Sequence, residues 1–108
     1  MSHRILHLTL SMLPFEVMVT GEKSTEYRVP SKWILSRLQG KTYDLIKFVN
    51  GYGSDKPYFI AKFRGWEFET NPHTVYFSNR LKVVSKIGMV KIYVGEIIER
   101  GNIKQNMD

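Results

Sequence analysis

The stretch that decides the fold is YDLIKFVNGYGSDKPYFIAKFRGW, which covers residues 43–66. Its first half places Ile46 and Phe48 on one face of an extended chain, because the side chains of a strand alternate between two faces. Its second half does the same with Phe59 and Ala61. The Asn-Gly pair and the further glycine between the two halves favour a chain reversal. The stretch therefore predicts a β-hairpin.

Upstream of this hairpin, the sequence predicts one strand and one short helix. From about Arg4 to Leu10, leucines alternate with polar residues, which is typical of a half-buried strand. The segment SMLPFEVMVTG, residues 11–21, has apolar residues at helical spacing and a proline near its start. Gly21 lies where a left-handed C-terminal cap belongs. We expect the helix to end there and residues 23–28 to be extended.

A second short helix is predicted in PSKWILSRLQG, residues 30–40, which ends at a glycine. Ile34 and Leu38 belong to its apolar stripe, whereas Trp33 and Arg37 share a different face at a spacing of four residues. An exposed Trp beside an Arg would form a contact surface. The alternative is that Trp33 packs under a neighbouring loop, and the spacing leaves both interpretations open.

Downstream of the hairpin, the sequence predicts further strands. Short strands are predicted at TVYF (74–77) and LKVV (81–84), within an ambiguous region, and a longer one at MVKIYVGEIIE (89–99). Residues from Gly101 onward are expected to be a flexible tail. About six short strands and two helices favour an α+β architecture, with a curled, largely antiparallel sheet or barrel and helices at its rim. We expect one domain spanning residues 1–108.

Composition restricts the possible functions. The chain has no cysteine, which excludes disulfides and thiolate chemistry and suggests a reducing, cytoplasmic location. Its apolar stretches are too short to cross a bilayer, so no membrane partner is expected. Sixteen basic residues against ten acidic ones give a net charge of +6, which favours encounters with RNA or DNA. The basic residues are spread along the chain, so a solubilising surface is the alternative explanation.

The sequence shows no pattern for a metal ion or a cofactor. His3 and His7 would lie about 13 Å apart on a strand, too far to share an ion. His73 stands alone in a polar segment. Neither a Walker loop, a G-x-S-x-G elbow nor a G-x-G-x-x-G fingerprint occurs. We therefore expect neither a metal site nor a cofactor.

The octapeptide GEKSTEYR, residues 21–28, concentrates charge directly after the first helix. Glu26 and Arg28 are two residues apart on a predicted strand, so they project to the same face and can pair or grip a nucleobase edge. If Lys23 points into the same hollow, it can neutralise a phosphate or take part in acid–base chemistry. A simple surface ion pair is the alternative.

The pattern Gly21-x-Lys23-x-x-Glu26-x-Arg28 resembles the G-x-K-x-x-E-x-R signature of the ASCH domain, a branch of the PUA-like superfamily. YDLIKFVNGYGSDKP and VKIYVGEIIE are similar to strands of its small, phage-type members. The resemblance implies a PUA-like β-barrel of five to six strands with two short flanking helices. It also implies that Lys23, Glu26 and Arg28 line a cleft at the barrel mouth and that Gly21 makes its turn.

The function that this resemblance favours is binding of RNA or of a modified nucleotide. Lys23 and Arg28 would contact phosphate, and Glu26 would contact the amino group of a base. Unpaired bases would stack on exposed aromatic side chains such as Trp33 and Tyr52.

Catalysis stays open as a second hypothesis, a small hydrolase acting on modified nucleosides or RNA through the same cleft. Relatives that hydrolyse acetylated cytidine have a threonine where this chain has Glu26. If the chain is an enzyme, Lys23 and Glu26 would be its catalytic residues, with Tyr27 and Ser24 as minor candidates. A third hypothesis is an adaptor that meets another protein through its two tryptophans.

Overall fold

The computed structural model describes residues 4–51, 53 and 55–103, and it has an α+β architecture. In chain order, its elements are β1 (Ile5–Leu10), α1 (Met12–Val19), β2 (Thr25–Arg28), α2 (Lys32–Leu38), β3 (Leu45–Asn50), β4 (Tyr58–Phe68), β5 (His73–Tyr76), β6 (Lys82–Ser85) and β7 (Val90–Gly101). Over this described part of the chain, no helix is both long enough and apolar enough to cross a membrane.

Five of the strands form one curled sheet in the order β1–β3–β4–β7–β2. β1 runs parallel to β3, and the other three pairs are antiparallel. The register of β4 against β7 shifts at three places between Ile60 and Trp66. Such bulges bend a strand and increase its twist, so this long pair curls the sheet into a half-barrel. The predicted mostly antiparallel, curled sheet is confirmed at this level.

The hydrophobic core fills the concave side of the half-barrel. The alternation predicted in the hairpin is confirmed, because Ile46, Phe48, Phe59 and Ala61 are all fully buried. The apolar faces of the other elements complete this core, with Leu6, Leu8 and Leu10 from β1, Phe15 and Met18 from α1, Ile34 and Leu38 from α2, and Val90 and Ile92 from β7.

α1 ends at Gly21, as the sequence predicts, and α2 begins at a serine cap. Gly21 has a φ of 88°, and its N–H donates to the Met18 carbonyl at 3.0 Å, so it ends α1 in the left-handed conformation that favours glycine. At the start of α2, the Ser31 hydroxyl accepts a hydrogen bond from the Ile34 N–H at 3.2 Å. These two caps fix the two ends of the segment between α1 and α2, which contains the octapeptide.

Three details differ from the prediction. Strand pairing in the octapeptide begins at Thr25, because the Lys23 N–H still donates to the Val17 carbonyl of α1 at 2.9 Å. β7 includes Gly101, the first residue of the predicted tail, because Gly101 pairs with Tyr58. The tail residues 104–108 lie outside the described residues. β5 and β6 are both present, but they pair with each other as a separate two-stranded ribbon instead of extending the sheet.

The ribbon β5–β6 is tied to α1 and to the turn after it. The Ser78 N–H and hydroxyl donate to the Glu22 carboxylate at 2.8 and 2.6 Å. The Asn79 side-chain amide donates to the Leu13 carbonyl at 2.9 Å and to Glu16 at 3.0 Å. The tip of the ribbon therefore covers the turn from which Lys23 extends.

Candidate nucleic-acid interface

The charged side chains of the octapeptide meet in one buried cluster. The Lys23 ammonium lies 2.9 Å from Glu26 Oε1, and Arg28 Nε lies 2.8 Å from Glu26 Oε2. Lys23 is only 3% exposed and Glu26 only 5%, so this is not the surface ion pair that the sequence left as the alternative. Each carboxylate oxygen accepts a charge-assisted hydrogen bond, which fixes the relative positions of the three side chains.

Arg28 also connects the two edges of the curled sheet. Its Nη2 donates to the Thr9 carbonyl at 2.7 Å. Thr9 belongs to β1 and Arg28 to β2, and these are the two edge strands of the sheet. The guanidinium therefore bridges the two edge strands at the opening of the half-barrel, and Glu26 fixes it by accepting a hydrogen bond from its Nε.

Lys23 is turned toward the interior. Its ammonium donates to the Met18 sulfur at 3.5 Å, and it lies 5.5 Å from the centroid of the Tyr27 ring. Lys23 lines two small hollows of about 230 and 170 Å³ on either side of the turn. Glu26 lines neither of them. In this arrangement the Lys23–Glu26 pair has little contact with solvent.

A larger hollow of about 720 Å³ opens beside Arg28 and is called here the Arg28 hollow. Its lining residues come from β1, β2, α2 and the turn after β3, and they are His7, Thr9, Leu10, Ser11, Arg28, Trp33 and Gly51. Of the predicted binding residues, it brings together Arg28 and Trp33, but not Lys23 or Glu26. Gly21 ends α1 and is not part of this lining. Tyr52 follows Gly51 in the chain but lies outside the described residues.

Trp33 is exposed at the mouth of the Arg28 hollow. Its side chain is 48% exposed, so the alternative that it packs under a loop is wrong. The Arg37 guanidinium lies 5.1 Å from the centroid of its ring, a cation–π contact that restricts the indole. Trp66, by contrast, is partly buried against the core, and its ring meets Phe68 edge-on. The two tryptophans therefore have different environments.

Tyr27 and Ser24, the minor catalytic candidates, lie apart from the Arg28 hollow. Tyr27 projects from the opposite face of β2 to Glu26, and its ring meets His73 edge-on at 6.1 Å. Burial, with the nearby Glu69 charge, raises the pKa of Tyr27, so its phenol keeps its proton at neutral pH. Ser24 is exposed and lines the two small hollows together with Lys23.

A second buried carboxylate, Glu69, was missed by the sequence analysis. It is 2% exposed and accepts hydrogen bonds from the Ser85 hydroxyl and from the N–H of Asn71, while Lys91 lies 3.2 Å away. The Ser85 hydrogen bond, supported by that from Asn71 and by Lys91, lowers the pKa of Glu69 to about 2 although burial opposes this. Glu69 in turn balances the charge of Lys91. This carboxylate links β6 to the end of β4.

His7 is the other residue whose place in the site was missed. From the sequence, His7 was considered only as a metal ligand, although its outward position on β1 was the available signal. In the structure it is exposed and lines the Arg28 hollow. Within residues 4–51, 53 and 55–103, no group of three or more His, Asp or Glu side chains could hold a metal ion.

Comparison with known proteins gives no match: no protein-family model, no curated protein and no solved structure is significantly similar to this chain. The resemblance to ASCH domains therefore stays a prediction from the octapeptide and the two strand segments.

Proposed function

We propose that this chain is an ASCH-like domain that binds RNA or a modified nucleotide in the Arg28 hollow. The observation that carries the proposal is the meeting of an arginine and a half-exposed tryptophan in one hollow of about 720 Å³. This volume lies within the range of about 300–1,000 Å³ that is usual for ligand pockets. A guanidinium is well suited to bind a phosphate, and an indole is well suited to stack on an unpaired base.

Arg28 is suited to bind phosphate in this position. Its bonds to Glu26 and to the Thr9 carbonyl use two of the five N–H donors of a guanidinium, and the remaining donors can serve a ligand. Because the side chain is already held at two points, little conformational entropy is lost when a phosphate binds. The cluster of Lys23, Glu26 and Arg28 also has a net positive charge, which favours an anion.

Lys23 and Glu26 act as positioning residues in this proposal. Glu26 fixes the Arg28 guanidinium, and Lys23 balances the charge of Glu26 in a region with little solvent. This differs from the roles that the sequence suggested, in which both side chains contacted the ligand directly. This arrangement gives the G-x-K-x-x-E-x-R pattern a physical reason. The glycine makes the turn, the Lys–Glu pair positions the guanidinium, and the arginine binds the phosphate, so all four residues are needed together.

Hydrolysis has less support from the geometry. A general base needs a lone pair within reach of a water molecule, and both oxygens of Glu26 already accept hydrogen bonds from cations. Catalysis by Lys23 and Glu26 would require the cluster to open. Mass spectrometry distinguishes binding from turnover, because it detects any product directly.

The test is a panel of nucleosides, nucleotides and short RNAs, measured for binding by calorimetry and for product by mass spectrometry. Arg28→Gln and Trp33→Leu should each weaken binding about tenfold or more, as expected for a charged hydrogen bond and for base stacking. Lys82→Gln, which removes an exposed charge on the β5–β6 ribbon, is the matched control and should bind normally.

The alternatives predict different results. Product that disappears in Lys23→Met, with the fold intact by circular dichroism, would establish a hydrolase. Unchanged affinity in both Arg28→Gln and Trp33→Leu would overturn the proposed site. Trp33→Leu is informative even if Arg28→Gln fails to fold, because Trp33 is half exposed and contributes little to the core.

A further inference from the structure

We propose that the site binds two successive nucleotides of a single strand, one on each side of Trp33. This inference rests on the proposed function and extends it, since a hollow for one nucleotide would be sufficient for that function. It follows from a second hollow that adjoins the first, from the charges of the lining residues and from the way the aromatic side chains are held.

The second hollow has a volume of about 370 Å³ and is called here the Arg37 hollow. Its lining residues are Ile5, Leu6, His7, Trp33, Arg37 and Tyr43. Both hollows include His7 and Trp33, so they meet at this pair of side chains. The Arg28 hollow reaches the end of β1 and the Arg37 hollow reaches its start, so together they form a groove along this edge strand.

The groove has an arginine in each half, and none of its lining residues in the described part of the chain is acidic. Arg28 belongs to one half, and Arg37 belongs to the other. A hollow of similar size to the Arg28 hollow lies beside α1, about 790 Å³, and differs in that two carboxylates, Glu16 and Asp55, line it against one cation, Lys56. A polyanion is therefore favoured along β1 and disfavoured beside α1. Two separated guanidinium groups suit a ligand with more than one phosphate.

Aromatic groups stand where bases would stack. Trp33 lines both halves of the groove, with the Arg37 guanidinium over its ring, and the Tyr43 ring lines the Arg37 hollow. Tyr43 is held in place because its hydroxyl donates to the Arg37 carbonyl and its ring meets Phe63 edge-on at 5.5 Å. Stacking on such side chains requires bases that are not paired, which points to a single strand rather than a duplex.

The experiment uses Trp66→Phe protein, in which Trp33 is the one remaining tryptophan of the two in the chain. Quenching of the Trp33 fluorescence then reports that a ligand has bound in the groove. The probes are the ribonucleotides pAp, pApA and pApApA and the corresponding uridine series. pAp has two phosphates and one base, so its comparison with pApA isolates the second base.

We expect affinity to rise about tenfold or more from pAp to pApA, which is the effect of stacking one further base. From pApA to pApApA, the rise should be about twofold or less, since the groove has two halves. Arg37→Gln should weaken pAp and pApA to a similar extent, because both probes have the two phosphates that the two arginines would contact. Lys82→Gln removes the same charge outside the groove and should leave both affinities unchanged.

The outcomes separate this inference from the proposed function. Equal affinity for pAp and pApA in both series would overturn the two-nucleotide groove while leaving a one-nucleotide site in place. A steady increase with each added nucleotide would also overturn it. No quenching and no calorimetric binding by any probe would contradict the proposed function itself.

Discussion

Glu26 has a position that only a charged partner on each side can stabilise. It is 5% exposed, and a carboxylate removed from water loses solvation that has to be replaced by strong hydrogen bonds. Lys23 provides one such bond and Arg28 the other. The three side chains therefore depend on each other, and the loss of the central one should affect both cations.

Replacing Glu26 by glutamine should be strongly destabilising. The glutamine amide can accept from one cation, but its NH₂ group then faces the other, and Lys23 keeps a buried charge without a counter-ion. Breaking a buried pair in this way costs about 3 kcal/mol or more of the free energy of unfolding. Urea denaturation of Glu26→Gln measures this cost.

The matched double variant Lys23→Met/Glu26→Gln removes the buried ammonium as well, so it should recover a substantial part of the loss. A Glu26→Gln protein within about 0.5 kcal/mol of wild type would show that the cluster contributes little to stability.

Glu69 makes stability dependent on pH in the acid range. Its pKa in the folded protein is about 2, below the ordinary value of 4.5 that it regains on unfolding. The unfolded state therefore binds the proton more readily, so the stabilising effect is complete above pH 4.5 and is lost as pH falls toward 2.

Glu69→Gln should flatten this dependence, measured as the midpoint of urea denaturation at a series of pH values from 6 down to about 2. Glu96→Gln is the control, because the Glu96 side chain is 71% exposed and should leave the slope as in wild type. An equally steep slope in Glu69→Gln would assign the acid sensitivity to other carboxylates.

At the scale of elements, Gly21 sets the direction in which the chain leaves α1. Its φ of 88° is costly for a residue with a Cβ, although no neighbouring atom would contact that Cβ. Gly21→Ala should therefore lower the free energy of unfolding by about 1–2 kcal/mol through backbone strain alone. Gly21→Asn should cost less, since asparagine tolerates positive φ better. Thermal denaturation of the two variants tests this, and equal stability of Ala and Asn would argue against a strained turn.

The sequence predicted the elements that have one apolar face. In β1, β3, β4 and β7, alternation of apolar side chains identified both the strands and their buried sides, because each strand contacts a single core. The end of α1 was predicted because glycine has a specific backbone role in a left-handed cap. The ribbon β5–β6 was harder to assign, since it packs beside the sheet and its apolar alternation is weak.

The site was predicted less completely than the fold. Spacing on a strand correctly put Glu26 and Arg28 on one face, but it could not show that Lys23 and Glu26 are buried, because burial depends on α1 and on the ribbon that covers the turn. The hydrogen bond from Arg28 to the Thr9 carbonyl joins residues 19 positions apart, and no local pattern indicates it. For the same reason, Glu69 was missed.

At the scale of the whole molecule, the half-barrel brings its two edge strands to the same opening. β1 provides His7 and the Thr9 carbonyl, β2 provides Arg28, and α2 adds Trp33 beside them. The basic residues, in contrast, are spread along the chain, which has a net charge of +6. Binding by the groove and binding by diffuse charge therefore differ in how they respond to salt and to the length of the RNA.

If the groove is the binding site, pApA should show a slope of about −1.4 in a plot of the logarithm of affinity against the logarithm of salt concentration, because each phosphate contacted on a single strand contributes about −0.7. Calorimetry or fluorescence at several salt concentrations measures it. A twelve-nucleotide RNA should give nearly the same slope, because the additional phosphates lie outside the groove.

A double variant, Lys62→Gln/Lys82→Gln, lowers the net charge of +6 by two without changing either hollow and should keep that slope. If the slope instead steepens steadily with RNA length and flattens in the double variant, the charge of the entire surface binds the polyanion. The arginines of the groove would then have no special part in binding, since any exposed cation would contribute equally to counter-ion release.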